Sequence, residues 1–271
     1  MSQRIALITG ASSGIGASIA RYLIDKGWKV YGTSRRADFG QITDGIHFLP
    51  MDVTDDGSVQ RAIDHLLQAE QQIHLLVNNA GIGMVGSVED STPDEMKMQF
   101  ETNYYGPVRV MQALLPHMRE QKEGHIINIS SLAGLFGLPY RGVYSASKFA
   151  LNGLTESMRM ELLRYGVHAV SLCPGDFKTA IKTSRIRVAK GDSSVYAEEF
   201  DKVHGLLNAE LNHSGDPIQV ARLVHRIAEN RKPKPYYIAA SPFQKFVVHL
   251  RYWLPTKAFQ WLMMRNYQML D

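Results

Sequence analysis

Tyr144 and Lys148 lie four residues apart in the run Tyr144-Ser145-Ala146-Ser147-Lys148. On a helix that spacing puts both side chains on one face, one turn apart. A phenol is a weak base at its ordinary pKa of about 10, but a neighbouring ammonium favours the phenolate. Such a tyrosine would exchange a proton with a hydroxyl or carbonyl oxygen of a substrate. Ser131, just after an apolar run, would hydrogen-bond the same oxygen. Taken alone, a Tyr-x3-Lys pair is more often structural than chemical, so the surrounding elements must decide.

A second group stands near the N-terminus. Thr9-Gly10-Ala11-Ser12-Ser13-Gly14-Ile15-Gly16 follows a short apolar run and opens a helical stretch. Its glycines allow a tight turn and close approach of the backbone to a pyrophosphate. The helix start offers free N–H groups and the positive end of its dipole. The spacing is Gly-x3-Gly-x-Gly rather than the usual dinucleotide fingerprint, and no Lys-Ser/Thr follows as in a P-loop. The plain alternative is a glycine-rich turn with no ligand.

About twenty residues further on, where a diol-binding carboxylate is expected, the chain reads Thr33-Ser34-Arg35-Arg36. A carboxylate would repel a 2′-phosphate, whereas a guanidinium binds one through two hydrogen bonds. The expectation is therefore NADP(H), with Arg35 the main contact and Arg36 secondary. Asp38 is near enough to serve a ribose in a differently folded loop. Asp52 and Val53 end the third apolar run. The Asp would accept from an adenine amino group and the Val would pack on the ring, or the Asp is simply a turn residue. In Asn78-Asn79-Ala80-Gly81, small residues would let the backbone approach a ligand, and Asn would tie strand ends together.

These groups need a scaffold. Strands are expected at 4–9, 29–34, 46–51, 73–78, 125–130, 167–173 and 236–240, nearly continuous in apolar residues as in a sheet covered on both faces. Helices are expected at 14–26, 56–71, from Thr92, at 107–122 with a kink at Pro116, at 142–165, and from Asp216 to about Asn230. The alternation implies an α/β fold with a doubly wound parallel sheet of about seven strands and helices on both faces. No linker or repeat divides the chain, so a single domain, 1–271, is expected. Its irregular part, about 175–215, would be a substrate lid. A tail at about 242–270 would form two amphipathic helices split by Pro255.

The chain has 271 residues, 45% hydrophobic and 21% charged, with 22 Gly, 11 Pro and one Cys. This excludes disorder and collagen-like repeats. The single Cys173 excludes an intrachain disulfide and a thiolate zinc site, and no metal is expected. The first apolar run is too short for a secretory signal, and no 18-residue apolar window suggests a membrane span. A cytoplasmic location is the expectation. The net charge is +4, and five of the 30 Lys and Arg residues fall in a stretch free of acids: Lys178, Lys182, Arg185, Arg187 and Lys190. They read as a solvated face, or more sharply as an attractor of an anionic substrate or acidic lipid. No basic patch carries interleaved stacking aromatics, so nucleic acid is not an expected partner.

The Gly10–Gly16 loop, Asn78-Asn79-Ala80-Gly81, Ser131, Tyr144-x3-Lys148 and Pro174-Gly175 occur in this order. The combination resembles the short-chain dehydrogenase/reductase family of Rossmann-type proteins over about Arg4 to Asn230. The resemblance implies hydride transfer between NADP(H) and a carbonyl or secondary alcohol. Tyr144 would be the acid/base, Ser131 would polarise the oxygen, and Lys148 would bind the nicotinamide ribose. Ser130 is a rival, but the 13-residue spacing to Tyr144 favours Ser131. Asn103 matches a family asparagine that holds a water in a proton relay, and is otherwise a helix-kink Asn. The resemblance also places Gly10, Ser12, Ser13, Gly14, Ile15, Gly16, Asp52, Val53, Asn79, Ala80 and Gly81 against the cofactor, with Pro174, Gly175 and Thr179 beside the carboxamide.

The tail resembles those of 17β-hydroxysteroid-dehydrogenase-like and retinol-dehydrogenase-like members. That implies a bulky apolar substrate such as a steroid, retinoid or lipid-like ketone, with a long-chain keto-lipid (sphingoid or acylated precursor) as the rival. A non-catalytic NADPH-binding redox sensor is the alternative of another class, disfavoured by the intact Ser131, Tyr144 and Lys148. A homodimer or homotetramer is expected through the helix that carries Gly153, unless that glycine serves an intrachain helix contact. Peripheral membrane contact of the tail is the less favoured reading.

Overall fold

The structure is a computed structural model. It describes residues 3–177, 185–190, 193–212 and 215–270. The strands are β1 (Ile5–Ile8), β2 (Lys29–Ser34), β3 (Ile42–Thr43), β4 (Ile46–Pro50), β5 (Leu75–Asn78), β6 (Met84–Val85), β7 (Gly124–Ile129), β8 (Val167–Pro174), β9 (Ile186–Arg187) and β10 (Tyr236–Ala239). The helices are α1 (Gly14–Asp25), α2 (Asp56–Ala69), α3 (Pro93–Phe100), α4 (Gly106–Gln121), α5 (Gly142–Leu162), α6 (Ala197–Asn212), α7 (Ile218–Ala228), α8 (Pro242–Trp253) and α9 (Thr256–Asn266).

The seven expected strands form one parallel sheet in the order β10-β8-β7-β5-β1-β2-β4. Successive strand residues face opposite sides. Ala6 and Ile8 join Ile19, Leu23, Val220 and Val224 under α1 and α7. Ile5 and Leu7 join Ile63, Leu66, Val110 and Leu114 under α2 and α4. Both faces are therefore buried, and the strands read as unbroken apolar runs for that reason. Burying each such aliphatic side chain contributes about 1.5–3 kcal/mol. The order reverses between β1 and β5, and the carboxyl ends of those strands open onto the crevice where doubly wound sheets bind ligands.

Three local features differ from the expectation. β3 adds an antiparallel edge to β4. Asp44 and Gly45 both take positive φ, 53° and 76°, as the two central residues of a type I′ hairpin turn require. The helices expected from Thr92 and from Pro107 are joined by one π-helical turn, Glu101–Tyr105, closed by Gly106 N–H donating to Glu101 O. Pro107 has no N–H, so it cannot close the α-helical bond to Asn103 O. The third feature is a small second sheet in which β6 pairs with β9 in parallel.

The helix starts follow from their caps. Thr92 and Glu95 form a reciprocal capping box at α3, and Ser241 and Gln244 form another at α8. Pro255 separates α8 from α9 as expected. In the expected lid region, β9 and α6 are ordered elements, and Phe177 bridges to Gly215. Lys178, Thr179 and Lys182 lie outside the described residues. Among the described residues no helix is long and apolar enough to cross a membrane.

Candidate active site

A cleft of about 1400 Å³ runs along the carboxyl edge of the sheet. At one end is the loop after β1. Gly10 and Gly14 both take positive φ, 67° and 57°, which favours glycine. Gly16 is required for space instead, since a Cβ there would stand 2.3 Å from Gly10 O. Asn79 fixes the loop from β5. Its Nδ2 donates to Thr9 O at 3.0 Å and Gly10 O at 3.1 Å, and its backbone N–H donates to Thr9 Oγ1 at 2.9 Å. Asn78 serves the scaffold, donating to Asn128 Oδ1 at 2.8 Å, and Asn128 donates to Thr155 Oγ1 at 2.9 Å.

The residues around this end fit a dinucleotide with a 2′-phosphate. Ser13 precedes α1 without capping it through its side chain, and the first turn holds no acid. The free N–H groups suit a pyrophosphate. Gly10, Ser12, Ser13, Gly14 and Ile15 line the cleft, whereas Gly16 sits behind the loop. Arg35 and Arg36 follow β2 directly, are exposed, and both line the cleft. Asp38 does not line it. Asp52 and Val53 also line it, but Asp52 forms a turn in which its Oδ1 accepts from Thr54 N at 3.0 Å and Thr54 Oγ1 at 2.8 Å. Ala80 and Gly81 complete this wall.

Ser131, Tyr144 and Lys148 all line the cleft. Tyr144 and Lys148 come from successive turns of α5. The Lys148 ammonium is buried and donates to Ile129 O at 2.8 Å. Burial pulls its pKa below the ordinary lysine value, and the nearby Tyr144 works against that pull. Two serines compete for the place beside Tyr144. Ser130 Oγ is buried and directed at the Lys148 carbonyl, 3.4 Å away. Ser131 is less buried, and its Oγ accepts from Ala133 N at 3.1 Å, which leaves its own O–H to donate into the cleft.

Asn103 sits in the π-helical turn and is fully buried. Its Oδ1 accepts from Ile82 N at 2.8 Å, and its Nδ2 donates to Ile82 O at 2.9 Å and Ser147 Oγ at 3.3 Å. Its carboxamide is thus engaged with the loop after Gly81 and with α5, and makes no direct bond to Lys148. Pro174 and Gly175 line the far wall. Cys173, beside them, is buried, and burial pushes its thiol up to about 12, which makes it inert at neutral pH.

Beyond Tyr144 the cleft turns apolar. Phe136, Leu138, Val247, Leu250, Phe259 and Met263 line it, four of them from α8 and α9. Arg141, Arg185, Asp176 and Gln244 also line the cleft; of these only Arg185 stood out in the sequence, as one of the five lid cations. Arg141 had a visible signal, three residues before Tyr144. Arg185 was read only as one of five lid cations, because its place in the cleft depends on the pairing of β9 with β6. Among the other expected lid cations, Arg187 pairs with Asp201 at 3.0 Å and Lys190 with Asp90 at 3.7 Å.

The sequence profile of the family described as short chain dehydrogenase matches residues 4–188. The chain belongs to the short-chain dehydrogenase family. It is 35% identical to a 3-ketodihydrosphingosine reductase of Bacteroides thetaiotaomicron over 96% of this chain and 97% of that protein. It is 32% identical to an NADPH-dependent 3-dehydrocapnine reductase of Ornithobacterium rhinotracheale over 88% of each. The fold matches a short-chain dehydrogenase from Streptomyces avermitilis with a TM-score of 0.83 at 29% identity, covering 100% of this chain and 99% of that one. As a member of this family the chain is an oxidoreductase acting on carbonyl and alcohol groups.

Proposed function

We propose that this short-chain dehydrogenase is an NADP(H)-dependent reductase of a bulky apolar ketone, a long-chain keto-lipid first among them. The observation that carries the substrate class is the continuity of the cleft, which runs from Tyr144 into the trough walled by Phe259, Val247 and Met263. Tail helices that buried those side chains against the core alone would leave no such trough. Steroid- and retinoid-sized ketones fit the same description of the tail.

When bound, NADP(H) supplies or accepts the hydride. The chain does the rest. Arg35, with Arg36 beside it, holds the 2′-phosphate, and the start of α1 holds the pyrophosphate. Asp52 and Val53 border the adenine, and Pro174 with Gly175 borders the carboxamide. Lys148 holds the nicotinamide ribose and keeps positive charge beside Tyr144. Ser131 donates to the substrate carbonyl oxygen, and Tyr144 delivers the proton that makes it a hydroxyl. Asn103 is a positioning residue that locks the Gly81–Ile82 loop to α5, at the base of the relay that returns a proton to Lys148. Of the expected lid, the described elements β9 and α6 would cover the substrate.

The assembly is proposed to be a homodimer or homotetramer through α5. A Cβ on Gly153 would meet nothing within 4 Å, so no helix of this chain among the described residues packs on it. Phe149, Met160 and Leu163 are exposed on the same element and its continuation. The intact catalytic group disfavours a redox sensor, and the chain is proposed to work in the cytoplasm.

The test is NADPH oxidation over a series of ketones. Rising kcat/KM with chain length, alongside poor turnover of acetone-sized ketones, is the expected result. Efficient turnover of small polar ketones alone would overturn the reading.

A further inference from the structure

The tail helices carry two apolar faces. One packs inward, where Val248 and Phe259 are buried in a cluster with Phe136 and Cys173. The other is open. On α8, Phe243, Phe246 and Trp253 are all more than half exposed, Trp253 at 74%. Separations of three and seven residues put them on one stripe of a helix. On α9, Trp261 and Leu262 are exposed as well. Lys257, Trp261 and Arg265 recur at every fourth position, so charge and aromatic ring share one side of that helix. The Arg265 guanidinium carbon stands 5.4 Å from the centre of the Trp261 ring. The charge of the tail has one sign. Residues 242–270 hold Lys245, Arg251, Lys257 and Arg265 and no Asp or Glu, and Lys245, Lys257 and Arg265 are exposed. Phe243 and Leu262 also line the cleft, so the open face and the mouth of the apolar trough share residues.

We propose that this face docks on an anionic lipid surface and sets the mouth of the trough against the bilayer. The docking stands on the surface of α8 and α9. Entry of a substrate from the lipid rests on the reading that Tyr144 reduces a lipid-like ketone. Helices that lie in a membrane interface combine large apolar and aromatic side chains with Lys and Arg. Tryptophan rings sit at the level of the head groups. Lys and Arg lay their stems along apolar surface and carry their charge to the phosphates. Core packing explains Val248 and Phe259 but leaves Phe246, Trp253 and Trp261 in water. A second copy of this chain, meeting the same face about a twofold axis, would bring like cations opposite one another. An anionic bilayer attracts those cations instead. A long-chain ketone then reaches Tyr144 past Phe243 and Leu262 without crossing water.

The experiment is sedimentation of the full chain with vesicles of phosphatidylcholine alone and of equal parts phosphatidylcholine and phosphatidylglycerol. Binding to the anionic vesicles is expected to be about tenfold tighter or more, and to weaken as salt is raised. Brominated lipid should quench Trp253 and Trp261, since the third tryptophan, Trp28, is buried. Phe246→Ser with Trp253→Ser weakens binding by about tenfold or more. Lys245→Glu with Lys257→Glu keeps the apolar side chains and weakens binding to the anionic vesicles alone. Thermal unfolding reports that each variant is folded. A chain left in the supernatant by anionic vesicles overturns the docking, and so does binding that neither variant changes. An oligomer that the double serine variant breaks, with no vesicle binding by the unaltered protein, makes the face a self-interface and overturns it too. Turnover separates docking from the ketone reading. On a long-chain ketone held in anionic vesicles the double serine variant is slower than the unaltered protein, and on the same ketone in detergent micelles the two are equal. Equal turnover in both settings overturns entry from the lipid. Vesicle binding with no ketone reduced in either setting upholds the docking and overturns the reductase reading.

Discussion

Gln244, in the first turn of α8, lies so close to Gly175 that a Cβ on that glycine would stand 2.3 Å from its Oε1. The same side chain caps α8, with Ser241 N–H donating to it at 3.3 Å, and its Nε2 donates to Asp176. One residue thus joins the tail to the end of β8, where the nicotinamide is proposed to lie. Gly175 is needed for its missing side chain, and the tail helices reach the cleft through this contact.

Gly175→Ala therefore displaces Gln244 and removes part of the cap. A lost N-terminal cap costs about 1 kcal/mol. Thermal unfolding should fall by roughly 2–4 °C, with KM for a long-chain ketone rising more than kcat falls. An unchanged melting temperature together with unchanged KM would show that the tail does not depend on this contact.

Tyr144→Phe keeps the ring under Arg141 and removes the acidic O–H. A positioned acid/base contributes on the order of 10²–10⁴-fold, so kcat should fall by at least about a hundredfold while NADPH still binds. Stopped-flow turnover beside a fluorescence titration separates the two effects. Residual turnover near the unaltered rate would refute the acid/base role.

Arg35→Asp replaces a phosphate donor with a like charge. The loss of hydrogen bonds to a charged group is worth about 1.5–3 kcal/mol, or roughly ten- to a hundredfold in NADPH affinity. NADH should bind as well as before or better. Dissociation constants for both cofactors check this, and an undiminished NADPH preference would move the 2′-phosphate away from Arg35.

Gly16→Ala has no room to be accommodated. The new Cβ would meet Gly10 O at 2.3 Å and Asn79 Nδ2 at 2.5 Å, and Asn79 is itself tied to Thr9. The loop must open, so cofactor affinity should fall with stability. Retained NADPH affinity in a folded variant would contradict the pinned geometry.

Cys173 gives a pH prediction. Burial raises its thiol from the ordinary 9.0 to about 12 in the folded protein. The unfolded chain ionises first, so it binds fewer protons above pH 9. The stabilising contribution is full below that pH and is lost as pH rises towards 12. Cys173→Ser should flatten the loss of stability between pH 9 and pH 10.5 in chemical denaturation. The unaltered thiol should react with Ellman's reagent only on unfolding.

The chain's order of elements was legible because each parallel strand is buried on two faces and each helix begins at a cap. Leu7 and Ile8 had to be apolar together, and Thr92-Pro93-Asp94-Glu95 could hardly be other than a helix start. The β3 hairpin was not read from the sequence, because its strand is only two residues long and the turn signal Asp44-Gly45 stands beside no apolar run on that side. Tyr144 and Lys148 were readable because their relation is local, one helical turn. Ser131 over Ser130 was suggested by spacing, and the Ser130 contact with the Lys148 carbonyl gives that choice a physical reason.

By itself the sequence determined the chemistry that depends on neighbours in the chain: the glycine loop, the two arginines after β2, and the acid/base pair on one helix face. Only the tertiary structure decided what long-range packing creates. Asn79 reaches Thr9 at the end of the neighbouring strand, 70 positions away, Gln244 meets Gly175 across 69 positions, and Arg185 is brought to the cleft that Tyr144 lines by a two-residue strand. Those contacts depend on sheet order and on where a lid strand finds its partner, and no local spacing encodes either.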